Sequence, residues 1–84
     1  MSTTACSQLN LAFQTLDEID VDMRQIKAYF SKIRTRVEEV QRGEYKNIRQ
    51  AAALELNNVH WKIDALRQKK GRLDCIFHNL EIGI

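Results

Sequence analysis

The chain has 84 residues, a net charge of +2, no proline, three glycines and two cysteines. So little turn-forming material excludes sheets and long loops and predicts one all-α domain over residues 1–84, too small to bury a sizeable core without disulfides, a metal or self-association. Two cysteines make no disulfide framework, no signal-peptide pattern is read at the start, and charges interrupt every apolar run before the roughly 18 residues of a membrane span; an intracellular, cytoplasmic protein that engages no membrane is expected.

The first helix is expected from about Ala5 to about Gln41, with Thr3 or Thr4 as its cap. Along it Leu9, Ala12, Leu16, Ile19, Met23, Ile26, Phe30, Ile33, Val37 and Val40 alternate in steps of three and four, the 3.5-residue repeat of a helix packed on other helices. Leu9, Leu16, Met23, Phe30 and Val37 occupy heptad position a; Ala12, Ile19, Ile26, Ile33 and Val40 occupy d. Gly43 follows as a helix stop, and a turn is expected over residues 42–44.

The second helix is expected from about Tyr45 to about Leu80 on the line Tyr45, Ile48, Ala52, Leu56, Val59, Ile63, Leu66, Lys70, Leu73, Phe77 and Leu80. Two consecutive steps of four, through Ala52 to Leu56, make a stutter that relaxes a supercoil. Gly71 is the weak point, since glycine costs about 1 kcal/mol against alanine in a helix interior; a continuous helix is the preferred reading, a break there the alternative. Lys70 interrupts the core line, either fixing register or reaching Asp17 or Asp74 with its ammonium.

Charge selects an antiparallel hairpin over one long parallel coiled coil. Folding about Gly43 sets the acidic block Asp17, Glu18, Asp20 and Asp22 beside Arg67, Lys69 and Lys70, and stacks Leu9 near Phe77, Ile19 near Leu66, Met23 near Ile63 and Phe30 near Leu56. Two helices cannot enclose these stripes, so a homodimer forming a four-helix bundle is expected, its core drawn from Leu9, Leu16, Ile19, Met23, Ile26, Phe30, Ile33, Val37, Leu56, Val59, Ile63, Leu66, Leu73, Phe77 and Leu80.

Function points to an interaction or assembly module without catalysis or cofactor. A second apolar row on the second helix, Leu54, Trp61, Cys75 and Ile82, is either a partner-protein surface anchored by Trp61 or a face buried in the homodimer. The alternative class is nucleic-acid binding through Arg24, Lys27, Arg34, Arg36, Lys46 and Arg49 near the turn, whose bland reading is a solvated charged face. Cys75 and His78 have ligand spacing, but a free buried cysteine and a surface histidine are expected, as are unbridged Cys6 and Cys75. Glu38, Glu39 and Glu44 lack the Glu-x-x-His pattern of di-metal bundles. In size and hairpin pattern the chain resembles the RNA-binding bundles of the Rop type and the small secreted WXG proteins, a fold-level analogy; it departs from the latter at the turn, which reads Gln41-Arg42-Gly43-Glu44, with its tryptophan in the second helix.

Overall fold

A computed structural model describes residues 3–44 and 46–82. It is an antiparallel hairpin of two helices, α1 (Thr3–Gln41) and α2 (Ile48–Glu81), forming a rod 62 × 14 × 13 Å across its Cα positions. Thr3 opens α1, so a cap ahead of it lies outside the described residues.

The end of α1 follows from one residue. Gly43 adopts φ +84°, where a Cβ would be strained. Its N–H donates to the Val40 carbonyl at 3.0 Å, and the Glu44 N–H donates to Glu39 at 2.9 Å. Together these bonds form the Schellman closure that occupies the last free carbonyls. The turn nevertheless runs further than residues 42–44, because Asn47 caps α2: its side-chain oxygen accepts from the backbone N–H of Arg49 at 2.9 Å and of Gln50 at 3.4 Å. An asparagine cap holds that position in extended geometry and delays the helix to Ile48. Of the expected helix start, Tyr45 lies outside the described residues. Downstream α2 continues through Gly71, which sits exposed with nothing near its missing Cβ.

The seam between the helices corrects the expected packing. On α1 it comprises d residues such as Ala12, Ile19, Ile26, Ile33 and Val40 together with Thr15, Asp22, Tyr29 and Arg36, which precede the a residues by one and occupy position g. On α2 the buried and half-buried line is Ala52, Glu55, Val59, Lys62, Leu66, Lys69, Leu73, Ile76 and Leu80. That line alternates threes and fours throughout, so the expected stutter at Leu56 is absent from the seam. Glu55, Lys62, Lys69 and Ile76 stand where Leu56, Ile63, Lys70 and Phe77 were expected.

Complementary charge explains the choice. Asp22, only 3% exposed, lies between two lysines of α2: Lys62 Nζ is 3.4 Å from one carboxylate oxygen, and Lys69 Nζ donates to the other. Arg36 holds Glu39 at 3.0 Å and reaches Glu55 at 3.8 Å. Glu18 meets Arg72 at 3.0 Å. Thr15, the most deeply buried side chain described, donates its hydroxyl to the Leu11 carbonyl at 2.8 Å. No buried side-chain polar atom among the described residues lacks a partner. The acidic block therefore does face the basic stretch of α2, though through Lys62, Lys69 and Arg72; Asp20 instead pairs within α1 with Arg24 at 2.8 Å, and Lys70 with Asp74 at 3.1 Å.

Candidate interaction surface

With d and g turned toward the partner helix, position a is left outside. Leu16, Met23, Phe30 and Val37 on α1 are exposed, Met23 at 58% and Phe30 at 51%, and so are Leu56, Ile63 and Phe77 on α2. Antiparallel helices related by an approximate two-fold perpendicular to the hairpin plane carry equivalent heptad positions on one side of that plane. Both a rows therefore share one broad face. Midway along it Ile19, Met23, Ile63, Leu66 and Leu73, together with Arg67 and Lys70, line a largely apolar groove. The opposite broad face carries the Glu18–Arg72 pair.

One contributor escaped the sequence reading. Phe13 is 66% exposed, and as the residue four after Leu9 and three before Leu16 it extends the same apolar face on its flank. Its signal was available in that spacing, hidden because Phe13 lies off the a/d line. Leu11 and Val21 are also exposed, on other rows of α1.

The row Leu54, Trp61, Cys75 and Ile82 is solvent-facing throughout, Trp61 at 68%. The Trp61 ring meets His60 edge-on, with centroids 5.7 Å apart. Cys75 is thus exposed, against the expectation of a buried thiol, because its row lies some 130° around α2 from the seam on a 3.5-residue repeat. Both cysteines are unbridged and His78 is exposed.

Of the six basic residues singled out, Arg24, Arg34 and Arg36 are paired with Asp20, Glu38 and Glu39 respectively. Arg36 belongs to the seam, away from the exposed Arg34. Lys27, Lys46 and Arg49 are exposed. Among the described residues no three histidine, cysteine or carboxylate side chains are grouped to hold a metal ion, and no helix is long and apolar enough to cross a membrane.

No protein-family model matches the chain, and no curated protein or solved structure matches it either.

Proposed function

We propose that the chain is a non-catalytic protein–protein interaction and assembly module, a helical hairpin that self-associates into a four-helix bundle. The observation that carries this reading is the direction of the apolar stripe. On a 3.5-residue repeat the bisector of the a/d stripe is rotated by about 50° from the d/g line that faces the partner helix. A square array of four helices requires about 45°, since each helix must divide its stripe between two neighbours. The hairpin supplies one neighbour. A second copy laid on the a face supplies the other and covers Leu16, Met23, Phe30, Val37, Leu56, Ile63 and Phe77. Covering that face along the 62 Å rod is expected to bury the roughly 800 Å² per partner of a standard stable interface.

In this assembly Leu54, Trp61, Cys75 and Ile82 remain on the outer side of α2, the surface the module offers to another protein. Nucleic-acid binding has less support, because half of the basic set is already engaged by carboxylates. Sedimentation equilibrium is expected to give twice the 9.8 kDa chain mass. Met23→Asp and Phe30→Asp are expected to reduce it to a single chain, while Trp61→Ala leaves it doubled. A wild-type monomer at high micromolar concentration rules out the assembly; loss of the dimer in Trp61→Ala moves the interface to that row.

A further inference from the structure

The hairpin is electrically lopsided along its length. The turn half, residues 24–62, has nine cations against four carboxylates, a net +5, whereas the remaining half has four against seven, a net −3. Two copies stacked on the a face can lie with their turns at the same end or at opposite ends. Resting on the self-association proposed above, we infer that the copies stack with their turns at opposite ends, around a two-fold axis passing near Met23 and Leu66.

Three features favour that orientation. Turns together would superpose two strongly positive halves, whereas turns apart set each positive half over the other copy's negative half, within reach of interactions that decay over about 8 Å at physiological salt. The a row of α1 is symmetric about Met23, with Leu16 and Phe30 seven residues to either side and Leu9 and Val37 fourteen. A perpendicular two-fold through Met23 therefore pairs each apolar residue with an apolar residue of the second copy. Because Met23 and Leu66 line the same groove, one axis serves both helices, and the two grooves face each other across it.

Lys70 supplies the third argument. It is the charged residue in the a row between Leu56 and Phe77, and it lines the groove. With turns together both Lys70 ammoniums occupy one level of the bundle. With turns apart they are separated by seven helical residues, about 10 Å of rise, and each stem lies beside Ile63 of the second copy. On the flanks Asp20 then approaches the second copy's Lys27, and His60 its Asp74; Arg67 approaches its own copy, a cost that its exposed side chain lowers by turning into solvent.

Spin labels at the turn read the orientation directly. In a Cys6→Ser, Cys75→Ser background, Lys46→Cys carries one label per chain, and its mass is measured on the same sample. A doubled mass with an interspin distance near the 62 Å rod length is the expected result. A doubled mass with a distance of about 20 Å, two helix diameters, overturns the orientation and leaves the assembly standing. A single-chain mass with no dipolar coupling overturns the assembly itself. Met23→Cys in the same background, which sits on the axis, is expected to cross-link to itself under mild oxidation, while Val37→Cys alone is not; self-linking of Val37→Cys together with a short turn distance would establish the parallel stack.

Discussion

A carboxylate held out of water between two ammonium groups experiences opposing influences. The hydrogen bond from Lys69 favours the charged form of Asp22 most, burial disfavours it, and Lys62 adds a second favourable bond; the net effect lowers its pKa below the ordinary 3.8. A carboxylate whose folded pKa is depressed contributes stability that is fully present above its unfolded value and is lost as pH falls through the folded one. Asp22→Asn is therefore expected to cost about 1.5–3 kcal/mol near neutral pH, the range for hydrogen bonds to charged groups. In urea titrations of both proteins the difference should hold through neutrality and shrink below about pH 4. An undiminished difference at pH 3 would assign the loss to packing. That an acidic block of α1 faces a basic stretch of α2 is legible in the sequence; which acid is buried is not. Asp22 lies one residue before an apolar a position, and only the rotation of α1 decides whether it meets solvent or α2.

At the scale of the element, both helices continue where their sequences keep the repeat and stop where a specific residue intervenes. Gly43 was legible as a stop because a left-handed residue is needed there. The Asn47 cap is masked in the sequence because Tyr45 and Ile48 extend the apolar pattern backwards across the turn. Gly71 breaks nothing, as hydrogen bonds on either side carry the helix through one residue of low propensity. Its site is open, so Gly71→Ala gains propensity without a clash. The expected stabilisation is about 1 kcal/mol, read as a higher urea midpoint with unchanged slope. A null or destabilising effect would mean that the glycine meets something absent from the isolated hairpin. Periodicity identified the helices and the antiparallel pairing, but not the rotation of each about its axis. The a/d stripe is wide enough to meet the partner helix squarely or obliquely, and the charged g residues Asp22, Arg36, Glu55, Lys62 and Lys69 join the seam and turn it obliquely, leaving position a outside.

For the molecule as a whole, little apolar surface is fully buried within one chain: among the described residues the buried hydrophobic side chains are Ala12, Ala52, Val59 and Ile76. A rod of two helices has most of its surface outside, and in the proposed assembly its stability depends on the second copy laid over the a face. Association that favours the folded chain raises the melting temperature with concentration. A rise of several degrees between about 5 and 500 μM chain is expected from circular dichroism, and Phe30→Asp should remove that dependence. A melting temperature independent of concentration in the wild type would show that the hairpin is stable alone. The functional surface was less legible than the fold because a heptad names rows, while the row available to a second molecule depends on which one the first contact consumes.

The charged seam also acts as a vernier. Apolar heptads alone are degenerate under sliding: moving α2 by seven residues along α1 brings one row of aliphatic side chains onto another nearly as well. Asp22 removes that freedom, because a shift in one direction presents it with Ile76 and in the other with Glu55, and neither replaces the lysine lost. The strength of the Asp22 contacts is then secondary to their singularity. They set the length of the rod, the alignment of its two ends and the place where the groove opens, so that every folded copy has the same face to show.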